Sequence, residues 1–388
     1  MPTLLRTALL FACAGLSAQD LFVASRHTDV VLRYDGSGAP VGPFASGGGL
    51  DNPVGVTFGP DGHLYVVSAD TNQVLRYDGA TGAFLAVVVG PPALDAPRHL
   101  NFAPDGSLCV ANARTSQILR FDPRTGASRG VAAQHASLNA TTGFTFGPDG
   151  DLWVGGVLSA NVARFDGRSG AWKGSFTSPW LQAPHDLSFG PDGRLYVTNA
   201  FGPNKVVRLD PMSGALLDVF VADPALVNPL GLCWLPDGDL LVANQTGNEV
   251  RRYDGRLGTL RGVHVAPGSG GLTGPLFLAL QPAPAPIALP PSPTGVGVSA
   301  VFPVRGVSPG GLVVHVVGGV PGSLALPFCP GVTFGILDPL VLGAHAADES
   351  GAAAWRLDVP SGILGATLLF QAIDLTACRV TGVLTHTF

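Results

Sequence analysis

"LDNPVGVTFGPDGHLYVVSADTNQVLRYDGATG", residues 50–82, holds two short apolar runs, VGVTF and LYVVS, joined by Gly-Pro-Asp-Gly, then a third, VLRYD, and another turn. Pro presets φ, Asp bonds its own backbone, and Gly takes the left-handed conformation that closes a tight loop. Pro-Asp-Gly between alternating runs therefore predicts a hairpin. The turn recurs as APDG at 103, GPDG at 147 and 190, and LPDG at 235, about every 43 or 44 residues. After each comes LYV, LCV, LWV, LYV or LLV, then VLRYD, ILRFD, VARFD, VVRLD or VRRYD, and a further apolar run. Each unit is four short strands, and four-strand repeats of this length predict a β-propeller.

The ends of the array give the blade number. The repeats begin with DLFVAS, VVLRYDG and APVGPF, which match strands two to four of a blade, and end with TGPLFLALQP, which matches strand one. Residues 275–281 are expected to pair with the N-terminal strands and close a ring of six blades, removing the edges an open array would expose. The expected fold is all-β: a six-bladed propeller over 19–282 and a small C-terminal β-sandwich.

Composition agrees. Of 388 residues 46% are hydrophobic and 13% charged, with 53 Gly and 34 Pro, a profile of strands and turns rather than disorder. Lys occurs only at 173 and 205 and Glu only at 249 and 349, so nearly all charge is Arg and Asp. A net charge of −5 and no Lys/Arg run give nucleic acid no basic field to bind.

Residues 1–18 combine Arg6 with an apolar core from Ala8 to Leu16, which reads as a secretory signal cleaved after Ala18; lipidation at Cys13 is the alternative. The expected location is secreted or cell-envelope. About ten apolar residues cannot span a bilayer that needs roughly twenty, and no later segment is long and apolar enough. QPAPAPIALPPSPT, 281–294, reads as a stiff spacer, with the linker proper at 283–294. From 295 to 388, LVVHVVGG, AAAWRLDV, ATLLFQAIDL and VTGVLTHTF alternate as a β-sandwich would. Cys109 and Cys233 sit within strand patterns as buried thiols, and whether Cys329 and Cys378 pair is left open. GVSPG at 306–310 fits the hydrolase G-x-S-x-G pattern but lacks strand-turn-helix context, so a loop is expected.

What recurs in every unit is scaffold. Arg33, Arg76, Arg120, Arg164, Arg208 and Arg252 form one column, and Asp35, Asp78, Asp122, Asp166, Asp210 and Asp254 another two residues on. The Asp is expected to cap a turn and the Arg stem to cover a blade face.

Residues 50–82 and their copies resemble NHL-type propeller repeats, and are similar to those of streptogramin lyases and gluconolactonase-like propellers. The C-terminal segment more weakly resembles accessory modules of exported bacterial proteins, which implies surface attachment. The resemblance implies that the column before each first strand opens onto the central channel. Gluconolactonase-like enzymes place Glu, Asn or Asp there to hold a divalent metal. Here the column reads Val54, Arg98, Thr142, His185, Leu230 and Leu276, which departs from that pattern. Streptogramin lyases use a His in a Pro-His segment with a Glu and a metal; His185 matches the His, no Glu stands at a corresponding blade start, and Asp186 is the only nearby acid.

The next column reads Gly55, His99, Gly143, Asp186, Gly231 and Phe277. Arg98-His99 and His185-Asp186 thus break an otherwise neutral ring, and His135, Trp180, Asp70 and Arg114 are expected on the same face. The catalytic candidates are His185 and Asp186; the ligand-binding candidates are Arg98, His99, His135 and Trp180. Two polar pairs and an aromatic suit an anionic or sugar-like ligand. No cofactor is implied, and a divalent metal has no support in the channel column. The reading favoured is an extracellular binding or scaffold module for a protein or carbohydrate. The alternative is a carbon–oxygen lyase or an ester or lactone hydrolase, centred on His185.

Overall fold

The computed structural model describes residues 19–281 and, beyond them, the backbone of strands between 299 and 387. The signal segment, the spacer, the 306–310 loop, Cys329 and Cys378 lie outside the described residues. The chain divides into two compact units, one of them spanning 18–282.

That unit is a propeller of six antiparallel four-stranded blades. Blade 1 runs, from the axis outward, β24 (Pro275–Leu280), β1 (Leu21–Ser25), β2 (Val30–Tyr34) and β3 (Pro40–Ala45). Closure is as expected: Leu21 pairs with Leu280 and Phe22 with Ala279, so the end of the array completes the blade its beginning left open. The other blades are consecutive. Blade 2 is β4 (Pro53–Phe58), β5 (Leu64–Ser68), β6 (Gln73–Tyr77) and β7 (Phe84–Val89); blade 3 is β8 (Pro97–Phe102), β9 (Leu108–Asn112), β10 (Gln117–Phe121) and β11 (Ser128–Gln134). Blade 4 is β12 (Thr141–Phe146), β13 (Leu152–Gly156), β14 (Asn161–Phe165) and β15 (Trp172–Thr177). Blade 5 is β16 (Pro184–Phe189), β17 (Leu195–Asn199), β18 (Lys205–Leu209) and β19 (Leu216–Val221), and blade 6 is β20 (Pro229–Trp234), β21 (Leu240–Asn244), β22 (Glu249–Tyr253) and β23 (Leu260–Val265).

The recurring residues do scaffold work. In the Pro-Asp-Gly turns the Asp accepts backbone N–H groups, as Asp61 does from His63 at 3.2 Å, while Gly62 sits at φ 77°. Asp78, Asp122 and Asp254 cap the turns after the third strands through the N–H groups of Thr81, Thr125 and Leu257. The Arg column lies on the blade faces: Arg164 covers Trp153 at 5.0 Å and pairs with Asp149 and Asp151, each at 2.6 Å. Neighbouring blades meet through edge-to-face rings from a second strand and the next first strand: Phe22–Phe58, Tyr65–Phe102, Trp153–Phe189 and Tyr196–Trp234. Such pairs add about 0.5–1.5 kcal/mol each beyond area burial. At the blade 3–4 joint the second strand offers Cys109, a buried free thiol; Cys233 is free and only partly buried.

A second stitch was not expected. A side chain held at positive φ in the second turn of one blade accepts the N–H that opens the next: Asp29 from Asn52, Asn72 from Ala96, Ser116 from Ala140, Asn204 from Asn228 and Asn248 from Gly274. Between blades 4 and 5 the position is Ala160, which has no acceptor.

In the second unit the described strands pair antiparallel. β25 (Ser299–Val304) pairs with β30 (Ala353–Asp358), and β27 (Val320–Ala325) with β28 (Thr333–Leu337). β26 (Leu312–Gly318) lies between β29 (Leu340–Ala346) and β31 (Thr367–Asp374), and β31 also pairs β32 (Arg379–Val380) and β33 (Leu384–Thr387). Whether its sheets pack as a sandwich is a matter of side chains outside the described residues.

Candidate functional site

Every innermost strand carries the same irregularity. Pro53 pairs with Ser68 and Val56 with Val66, so Val54 and Gly55 together face one residue, Val67. The same holds for 98–99, 142–143, 185–186, 230–231 and 276–277. These are β-bulges, which leave two residues out of the ladder and re-aim their side chains. The two columns expected to precede the first strands therefore lie inside them, as the bulged pairs. The pairing starts one residue earlier, at Pro or, in blade 4, Thr141.

The first member of each pair faces the channel. Val54, Arg98, Thr142, His185, Leu230 and Leu276 line a single cavity of about 300 Å³. Above them the wall is built from the turns after the second strands: Arg26, Ala113, Val157, Leu158, Phe201 and Gln245.

The second members alternate by size around the ring, Gly in blades 2, 4 and 6 and a large residue in blades 3, 5 and 1. A Cβ on Gly55 would meet the Arg98 carbonyl at 2.8 Å and the His99 Cα at 3.0 Å, and one on Gly231 the Leu276 carbonyl at 2.5 Å and the Phe277 Cα at 2.8 Å. Each glycine thus makes room for the bulge of the next blade. His99 stacks on Phe277 with centroids 4.4 Å apart and meets Phe144 edge-on at 5.1 Å. Its Nδ1 is buried without a partner, and burial, with a smaller effect of His185, pushes the imidazole down to about 3. His99 fills the channel among aromatic rings.

Asp186 is likewise committed. One carboxylate oxygen accepts its neighbour's N–H, from Leu187, and the other accepts the Leu232 N–H of blade 6, both at 2.8 Å. Its own N–H donates to Thr198 Oγ1 at 2.9 Å. Burial pushes the carboxyl up to about 7 against the pull of those two N–H donors. His185 and Asp186 do not hydrogen-bond: bulged neighbours, they serve the channel and the next blade respectively.

His185 is 8% exposed, packs near Phe277 at 5.6 Å, and has an unpartnered Nδ1. Burial first, and the Arg98 guanidinium second, lower its pKa to about 3, so the ring is neutral at physiological pH. Its carbonyl accepts Thr142 Oγ1–H at 2.9 Å.

The remaining candidates lie elsewhere. His135 follows the outermost strand of blade 3 and stacks on Trp172 of β15 at 4.4 Å, its Nδ1 2.9 Å from Ser137 Oγ. Trp180 sits in the connection between blades 4 and 5, with Lys205 Nζ 5.8 Å from its ring. Arg114 pairs with Asp95 at 2.9 Å, and Asp70 accepts Asn52 Nδ2–H at 2.9 Å. None of these four lines the cavity. Fourth strands end at the periphery, which carries His135 outward; apart from the bulges and Ala140, the lining comes from the second-strand turns. Arg26, Leu158 and Phe201 were missed, although the turn after each second strand could have been read as a column.

Among the described residues no group of three or more His, Cys, Asp or Glu could hold a metal ion. The cavity offers one imidazole and no carboxylate, a set that does not fit a divalent cation.

No protein-family model and no curated protein matches the chain. Solved structures do. A chain of a nidogen–laminin complex is similar with a TM-score of 0.58 and 15% identity over 68% of this chain and 98% of that one. Virginiamycin B lyase from Staphylococcus aureus gives a TM-score of 0.46 and 20% identity over 64% and 76%. A gluconolactonase from Xanthomonas campestris gives 0.47 and 19% over 67% and 90%. The likeness is one of fold: the chain contains a six-bladed β-propeller.

Proposed function

We propose that the protein is an exported binding module whose propeller takes a small organic ligand into the central cavity. One observation carries this: all six bulges converge on one cavity, and among its polar side chains Arg98 has no hydrogen-bond or ion-pair partner among the described residues and His185 keeps an unpartnered Nδ1. Arg6 and the apolar residues after it support export. A lyase or hydrolase centred on His185 would use the same cavity but lacks its parts. A general base works best with a pKa near the operating pH, and burial holds His185 near 3 while both oxygens of Asp186 are bound to backbone.

The test is a thermal-unfolding screen of the full chain against soluble acids, amines, alcohols and sugars, beside two variants that fill the cavity, Val54→Trp and Leu230→Trp. A ligand at about 100 times its Kd adds roughly 2.7 kcal/mol to the native state. At least one class should raise the wild-type midpoint and not that of a folded filled variant. No such class, or equal shifts in all three proteins, would overturn the reading.

A further inference from the structure

The cavity has two unlike sides. Arg26 and Arg98 reach it from blades 1 and 3, flanking blade 2, and are the only formally charged residues among its lining. Neither has a salt bridge or a side-chain hydrogen bond among the described residues. The blade-face arginines Arg33, Arg120, Arg164, Arg208 and Arg252 all do. A guanidinium carries five N–H donors and no acceptor, so a half-buried pair calls for an oxyanion. Burial, and after it repulsion from Arg26, lowers the Arg98 pKa, with Asp70 opposing in part; Asp70 itself accepts from Asn52.

The opposite side is apolar. In the turns after the second strands, the position that is His27, Asp70 and Arg114 in blades 1 to 3 is Leu158 and Phe201 in blades 4 and 5. Both line the cavity and remain 71% and 64% exposed. Large side chains held in water at a cavity mouth are surface a ligand would cover. Neutral His185, with its unpartnered nitrogen, lies on this side, in the same blade as Phe201 and with the two ring centroids 6.4 Å apart.

We propose that the central cavity binds a small organic acid, its carboxylate held by Arg26 and Arg98 and its apolar body laid against Leu158 and Phe201. The inference rests on the binding reading above and names its ligand class. A cavity of about 300 Å³ sits at the lower end of ligand pockets and suits one ring or a short chain.

The test uses the full chain, isothermal titration calorimetry and four probes: 3-phenylpropionate, its neutral counterpart 3-phenylpropanol, acetate and inorganic phosphate. Phenylpropionate should bind at least about tenfold more tightly than the other three. Arg98→Gln and Arg26→Gln should each weaken it by about tenfold and leave the weak phenylpropanol binding unchanged. Phe201→Ser, an exposed position whose change spares the fold, should weaken phenylpropionate and not acetate. Equal binding of acid and alcohol, or acid binding indifferent to both arginines, would overturn the assignment. If sugars or amines shift wild type but not the filled variants while the acid does nothing, the cavity is still a binding site and only the ligand class falls.

Discussion

The carboxylate of Asp186 accepts the backbone N–H of Leu232 at 2.8 Å, across the joint between blades 5 and 6. In sequence Asp186 stands beside a histidine, as a catalytic acid would. In the fold it accepts the N–H of the first residue after the bulge of β20. The side chain is buried, so its role is read in stability.

Asp186→Asn should cost about 1–3 kcal/mol, because the amide can accept from only one of the two buried N–H donors. The cost should depend on pH. The folded carboxyl is raised from 3.8 to about 7, so its contribution is complete below about pH 4 and lost as pH rises through 7. The capping aspartates Asp78, Asp122 and Asp254, held below their usual range, act in the opposite sense and cancel in the comparison of wild type with variant. Urea unfolding should show a larger wild-type advantage at pH 5 than at pH 8; a constant or reversed difference would show the carboxylate ionised in place.

Gly143 faces the same segment from blade 4. A Cβ there would lie 2.4 Å from the His185 carbonyl oxygen and 2.6 Å from the Asp186 Cα, backbone atoms that cannot turn aside. Gly143→Ala should therefore destabilise by about 1–3 kcal/mol. Gly90→Ala is the control, since its nearest neighbour would be Val87 Cγ1 at 3.7 Å. Equal thermal midpoints for the two variants would refute the tight bulge-to-bulge contact.

The missing stitch at Ala160 can be supplied. Ala160 sits at φ 50°, a conformation Asn adopts more readily than Ala, and an Asn oxygen there would be placed as Asn72 and Asn204 are at their joints. Ala160→Asn should raise stability by about 0.5–1.5 kcal/mol. An unchanged or lowered midpoint would show that the blade 4–5 joint is built differently from the other five.

Much of this was legible in the chain. The Pro-Asp-Gly turns, the Arg and Asp columns and the unmatched first and last strands are local patterns, and they predicted blade number and closure. The bulges were not legible, because a register shift belongs to two strands and the sequence shows each alone. Two polar pairs therefore looked like a double departure from a neutral ring. In three dimensions His99, Asp186 and Phe277 form one alternation with Gly55, Gly143 and Gly231. Arg26 escaped notice because it lies in the blade assembled from both ends of the repeat array, and only closure brings it into the same cavity wall as Arg98.

The central claim is that this cavity binds and does not perform acid–base chemistry, and the charge state of His185 bears on it most directly. Imidazole resonances of the wild-type chain, assigned with His185→Gln, should be followed by NMR from pH 4 to pH 8. The account predicts no titration of His185 in that range, its pKa being held near 3 by burial and Arg98. A midpoint between about 6 and 7, shared with Asp186, would contradict it and restore the pair as an acid–base centre.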